Sequence, residues 1–263
     1  MQLSPEQRDH YWTKGWLVVE GVIPPEKVEW VAQRALEIAR GQISAASSNY
    51  QADRSPDGTV IEPRKLDSPF GTDLGLGRAL LESPLPDLIR QLIGVQPLFF
   101  SDQIFFKPPR HGSIKHYHQD NAYFHLVPAD HGITGWVAMD DVDEANGCLR
   151  YIDGSHLGPI LEATPVPGAE HDLMPDPALI DLSKESLAPV KKGGVVLHHS
   201  KVLHRSAANT SDRWRRGYAT HWVSADVTSD TGLLETGYYH RPELFAGWGE
   251  ALAAEPMVAQ PRR

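Results

Sequence analysis

The chain of 263 residues contains a single cysteine, Cys148, so no internal disulfide can form and a cysteine-rich zinc or iron–sulfur site is excluded. One free thiol fits a reducing compartment, and a cytoplasmic location is expected. Long apolar runs are missing too. No stretch reaches the roughly 18 residues that a membrane-crossing helix needs. The opening MQLSPEQRDHYW lacks the apolar segment of a secretory leader, and the closing PRR is not a peroxisomal address. Positive charge is scarce, with 25 Lys and Arg against 34 Asp and Glu. Nucleic-acid binding needs a basic stripe, so no nucleic-acid partner is expected.

What remains is an ordinary globular composition, 41% hydrophobic and 22% charged, in a chain long enough for one sizeable core. A single domain over 1–263 is expected. Ser4-Pro5-Glu6-Gln7 reads as a helix start, with Ser4 as N-cap and Gln7 placed to bond back to it. Gly15 ends that helix and Trp16 to Val19 reads as a strand. Pro24-Pro25 opens a second helix, with Val28, Trp30, Val31, Ala35, Leu36, Ile38 and Ala39 on its apolar side and Gly41 as its stop, so the N-terminal helices span 4–42. Residues 43–72 are rich in Ser, Asp, Pro and Gly and are expected to form a long, lid-like loop. Leu85 to Gly94 suits another helix. From about 97 to 225 short apolar runs alternate with turn signals such as Asn146-Gly147 and Gly193-Gly194. Helices followed by many short strands predict a mainly β fold with flanking helices, a jelly roll or barrel.

The chemistry concentrates in His116-Tyr117-His118-Gln119-Asp120. On an extended chain residues two apart face the same way, so His118 and Asp120 present an imidazole and a carboxylate to one point. These are two members of a 2-His-1-carboxylate set, which leaves positions open on non-haem iron(II). The third ligand must come from a distant strand. His204 is the leading candidate, following an apolar run and a Gly-Gly turn, with Ser206 on its face. His198 and His199 compete with it but lack the Ser206 and Arg215 that follow His204. Arg215 alternates with Gly217, Ala219 and His221, which predicts an inward face where a guanidinium can clamp a carboxylate. Arg213 belongs to an exposed turn, and His221 reads as a buried, hydrogen-bonded histidine.

Taken together, several motifs resemble those of the phytanoyl-CoA dioxygenase (PhyH) family. They are Phe106-Lys107-Pro108-Pro109, His118-Gln119-Asp120, Trp136, Asn146-Gly147-Cys148-Leu149, Gly154-Ser155-His156, His204-x-Ser206-x-x-Asn209 and Arg215. The resemblance runs from Gly15 to about Val223. It implies a double-stranded β-helix (cupin-like) fold with iron(II), 2-oxoglutarate and O2 as cofactor and co-substrates. It assigns His118, Asp120 and His204 to the metal, Arg215 to the far carboxylate of 2-oxoglutarate, and Ser206 and Trp136 to the same co-substrate. Gln119, Gln103 and Lys65 match further co-substrate positions. His116, Tyr123 and His125 are candidates for contact with the primary substrate. The chain departs from the family at Arg205, where glycine is usual; Arg205 is expected to point away from the metal. Asp120 argues against halogenation, because in the related halogenases a small residue replaces this carboxylate.

The implied activity is hydroxylation of a small or medium organic metabolite, with release of succinate and CO2. Two other classes share part of the pattern. A zinc hydrolase or isomerase could use the same three ligands, and a non-catalytic member could bind metal or ligand as a sensor. Arg215 with Ser206 disfavours both, since neither needs a buried carboxylate clamp.

Overall fold

The computed structural model describes residues 1–43, 50–54 and 60–245. Helix α1 (Pro5–Lys14) starts as its sequence dictates. The Ser4 hydroxyl accepts from the Gln7 amide at 3.2 Å and the Gln7 side chain accepts from the Ser4 amide at 2.9 Å. Gly15, at φ 87°, closes it in the left-handed region that glycine adopts without cost. Then come β1 (Trp16–Val19), α2 (Pro25–Ala39), the hairpin β2 (Tyr50–Arg54) and β3 (Val60–Asp67), and three short helices, α3 (Pro69–Thr72), α4 (Leu74–Leu81) and α5 (Leu85–Ile93). The rest is largely strand: β4 (Leu98–Lys107), β5 (Lys115–His118), helix α6 (Asn121–Phe124), β6 (Gly132–Ala138), β7 (Leu149–Ile152), β8 (Ala163–Val166), β9 (Ala169–Pro175), β10 (Glu185–Ala188), β11 (Val195–His199), β12 (His204–Ser206) and β13 (Arg215–Val223).

A seven-stranded sheet in the order β1-β11-β6-β13-β4-β3-β2 is accompanied by a four-stranded sheet, β10-β7-β12-β5, and all pairings are antiparallel. This is the double-stranded β-helix. One face of the large sheet packs on the helices through Phe99, Ile104, Phe106, Tyr218 and Trp222 against Leu85 and Ile89. The other contributes Trp136, Ala138, Val196 and Ala219 to a second core shared with Leu149 and Tyr151 of the small sheet. Alternation along β13 sorts its residues between these cores: Tyr218 and Trp222 go to the helices, Arg215, Ala219 and His221 to the interior.

Two expectations fail. Much of the segment 43–72 is ordered sheet: β2 pairs with β3, and β3 with β4, setting Lys65 opposite Phe105 and Leu66 opposite Ile104. Its polar composition suggests a loop, but pairing with the open edge of β4 and burial of Leu66 make it a sheet extension. Residues 44–49 and 55–59 of that segment lie outside the described residues. Trp30, expected on the buried side of α2, is about half exposed, because the apolar stripe of α2 is narrower than its sequence suggests.

Candidate active site

Strand β5 ends at His118, and Asp120 opens the turn into α6. β12 lies beside β5 and pairs His204 directly with His118, so the distant histidine is delivered by sheet register. The two imidazoles and the carboxylate place ligand atoms within 4.8 Å of one another, all buried. His118 Nε2 and His204 Nε2 stand 3.5 and 3.6 Å from Asp120 Oδ1.

Each group is oriented by its other atom. His118 Nδ1 donates to the His116 carbonyl at 2.8 Å and His204 Nδ1 to the Val202 carbonyl at 3.1 Å. That leaves both Nε2 lone pairs turned to the common point. Asp120 Oδ2 accepts from Thr134 Oγ1 at 2.7 Å and from His198 Nε2 at 3.1 Å, leaving Oδ1 for the same point. His198 is held in turn by the Tyr151 hydroxyl at 2.9 Å. Burial would raise the Asp120 pKa, but His204, His118 and His198 hold it well below the usual carboxylate range. Burial, with His118 and His198 close by, drives His204 well below an ordinary histidine, so it is neutral. Two imidazoles and a carboxylate, sharing one free face, fit a divalent iron.

A cavity of about 250 Å³ opens over these atoms. Arg215, Ser206, Trp136, Gln103 and Lys65 all line it. Arg215 is only 2% exposed and sits over Trp136, its guanidinium carbon 4.6 Å from the ring centroid. A Cβ at Gly217 would stand 1.9 Å from the Trp136 ring, so glycine there is what lets the indole lie across β13. Arg215 Nε donates to the Gly147 carbonyl at 3.1 Å, while Nη2 is buried with no partner among the described residues. Burial lowers its pKa to about 10, so it still carries its charge at neutral pH. A buried cation with a free donor is the complement of a carboxylate. Ser206 Oγ accepts from Lys107 Nζ at 2.8 Å, which leaves the serine proton free to donate.

Other expected residues stand elsewhere. Gln119 faces away: its amide donates to the Pro159 and Lys201 carbonyls at 3.1 and 2.7 Å and its oxygen accepts from Leu161 N at 2.8 Å. With His118 and Asp120 facing one way, alternation turns the residue between them the other way. His125 pairs with Asp230 at the surface, at 2.8 Å, because the turn ending α6 swings it outward. His116 is drawn aside to Asp172, at 3.3 Å. Tyr123 does line the cavity, and His221 is buried in its wall, pushed down to about 4 by burial. Arg205 turns to Glu185 at 3.0 Å, though part of it reaches the cavity edge. Arg213 pairs with Asp143 in an exposed turn.

Thr134, His198 and Lys107 were not foreseen in these supporting roles. Thr134 had a signal, since it sits two residues before Trp136 on the same strand face. Lys107 shares the parity of Gln103. Arg64, Lys115 and Asp172 had none, because the hairpin of β8 and β9 that carries Asp172 was not recognisable.

Fold and site together define a non-haem iron, 2-oxoglutarate-dependent oxygenase. The model of the phytanoyl-CoA dioxygenase (PhyH) family matches residues 11–217, and the chain belongs to that family. It is 33% identical to phytanoyl-CoA dioxygenase domain-containing protein 1 of Danio rerio, over 86% of this chain and 92% of that one. It is 34% identical to the Caenorhabditis briggsae homologue, over 60% of this chain and only 58% of that protein's length. It is also 28% identical to a probable alpha-ketoglutarate-dependent hypophosphite dioxygenase of Stutzerimonas stutzeri, over 97% and 90% of the two chains. The fold matches the 2-oxoglutarate complex of EvdO2 from Micromonospora carbonacea var. aurantiaca with TM-score 0.68 at 21% identity, covering 88% and 94% of the chains. No helix among the described residues is long and apolar enough to cross a membrane.

Proposed function

We propose that the protein hydroxylates a small or medium organic metabolite, with iron(II) on His118, Asp120 and His204 and 2-oxoglutarate clamped by Arg215 and Ser206. The observation that carries this reading is the buried Arg215 with its unpartnered Nη2 beside the converging triad. A zinc hydrolase has no use for that donor. Iron(II) bound with 2-oxoglutarate supplies O2 activation, and the co-substrate leaves as succinate and CO2. The chain's own residues do the rest. Thr134 and His198 fix the Asp120 carboxylate, the carbonyls of His116 and Val202 fix the imidazoles, and Lys107 directs the Ser206 hydroxyl. The apolar walls, Phe105 and Leu149 among them, limit water around the reacting groups. Lys65 and Gln103 add polar contacts to the same chamber. A cytoplasmic setting belongs to this reading, in keeping with the free, buried Cys148.

Purified protein with iron(II) should convert 2-oxoglutarate to succinate slowly even without a primary substrate, and His204→Ala should not. Zinc-dependent hydrolysis of test esters, with no succinate formed, would refute the proposal. Screening metabolites for succinate release above that background identifies the substrate.

A further inference from the structure

The cavity mouth carries positive charge that co-substrate binding does not use. Lys115 on β5 places Nζ 2.6 Å from Asp172 Oδ1, and His116 Nδ1 lies 3.3 Å from Oδ2. Both oxygens of Asp172 are therefore engaged. Arg64, on β3, approaches Asp172 no closer than 3.7 Å, beyond hydrogen-bond range. That is the only polar contact its guanidinium makes among the described residues, so its planar fork of five N–H donors is open. The side chains of Arg64 and Lys115 are about a quarter exposed and line the cavity, whereas Asp172 is buried.

The charge inside points the same way. Lys65 is balanced by Asp67 and Arg205 by Glu185. Arg215 would be balanced by the far carboxylate of 2-oxoglutarate. Asp120 and the second carboxylate of 2-oxoglutarate would together offset a divalent iron, so the surplus lies at the mouth. The cation pair there, Arg64 and Lys115, exceeds what Asp172 can offset. A cleft of one charge sign concentrates ligands of the other.

We infer that the primary substrate is a small anion, an organic carboxylate or oxyphosphorus acid, whose acid group docks on Arg64 and Lys115 while its carbon chain points to the triad. This rests on the oxygenase reading above. The volume of about 250 Å³, shared with the co-substrate, keeps the substrate small. Asp172 holds Lys115 in place and the hairpin of β8 and β9 over the site, and it leaves Arg64 open for the acid group.

The test uses four probes of similar size: butyrate, propylphosphonate, butyramide and butylamine. Binding is measured by anaerobic calorimetry on protein loaded with iron(II) and 2-oxoglutarate. Both anions should bind at least about tenfold more tightly than the amide, as one or two charge-assisted hydrogen bonds allow, with the amine weakest. The tighter of the two anions identifies the acid. Arg64→Ala and Lys115→Met should each lower the anion-to-amide ratio several-fold, and Arg64→Lys should keep part of it. Melting curves confirm that each variant is folded. Equal binding of all four probes, undetectable binding of all four included, overturns the inference. So does an Arg64→Ala protein that keeps the ratio but loses 2-oxoglutarate affinity, since Arg64 would then serve the co-substrate. Failure of the oxygenase reading shows separately, as iron-loaded native protein that does not bind 2-oxoglutarate. In that case the anion ratio is read on metal-free protein.

Discussion

Two groupings of two buried histidines with an aspartate invite comparison among the described residues, and one of them is built to hold a metal. In the first, His118 and His204 each give Nδ1–H to the carbonyl two residues back, so both Nε2 atoms turn toward Asp120 Oδ1. In the second, His156 and His199 lie with ring centroids 5.0 Å apart, tilted by 47°, beside Asp130. There the backbone takes the wrong atoms. His199 Nδ1 accepts from the Lys201 amide at 3.0 Å, so its Nε2 must donate to Asp130, at 3.3 Å. His156 Nε2 donates to the Trp12 carbonyl at 3.1 Å. No lone pairs converge, and Asp130 stands mostly in solvent. Residue type is the same in both clusters. What differs is which nitrogen the local backbone occupies.

The strongest break of this comparison is ligand removal. His118→Ala, Asp120→Ala or His204→Ala should abolish retention of iron through desalting, whereas His199→Ala should retain it. Iron loss in His199→Ala with retention in His204→Ala would reverse the roles of the clusters.

Next in size is the clamp. Removing one partner of a buried charge pair costs about 2–5 kcal/mol, roughly 30- to several-thousand-fold in affinity. Arg215→Ala should weaken anaerobic 2-oxoglutarate binding by at least the lower factor while iron binding survives. Arg215→Lys should recover part of it, lacking the planar fork, and Arg213→Ala should change little. Unaltered binding in Arg215→Ala would remove the main reason to prefer 2-oxoglutarate chemistry.

A smaller effect should follow when only the orientation of Asp120 is loosened. Thr134→Val deletes the 2.7 Å bond to Oδ2 without touching a ligand. Groups that orient metal ligands typically contribute about 10- to 100-fold in metal affinity. A competition titration of iron(II) that shows no change would mean His198 suffices alone.

The smallest expected effect belongs to the second cluster and concerns pH. Burial, aided by His156 nearby, pushes the His199 pKa down. Below the unfolded value of about 6.5, the unfolded chain binds a proton that folded His199 refuses, so stability falls as pH falls. The share from one histidine is at most about 1.4 kcal/mol per pH unit. His199→Gln should therefore flatten the decline in urea midpoint between pH 6.5 and 5. An unchanged slope would show that His199 is not held neutral.

The metal ligands were readable because an extended H-x-D aims two side chains at one point whatever surrounds it. Arg215 and His221 were readable from strict alternation on a long strand. The same rule, applied to Gln119, already turns it away from the site; family likeness favoured it and geometry did not. Polar composition made residues 43–72 look like a loop, although β2 pairs with β3 and β3 with the edge of β4. His125 could not be placed because the end of α6 takes a left-handed turn, at φ 50°, that sequence does not specify for histidine.

Sequence by itself determined the elements with local causes: the capped helix at Ser4, the alternating strands, the donor types at 118, 120 and 204, and the excess of acid over base. Only the tertiary structure decided which histidine met which carboxylate. Register pairs His204 with His118 across strands remote in sequence, and a shift of one residue would turn His204 to the other face. It likewise gathered Arg64, Lys115 and Asp172 from three distant strands into one mouth. Long-range contacts of this kind come from sheet packing, which no local pattern encodes.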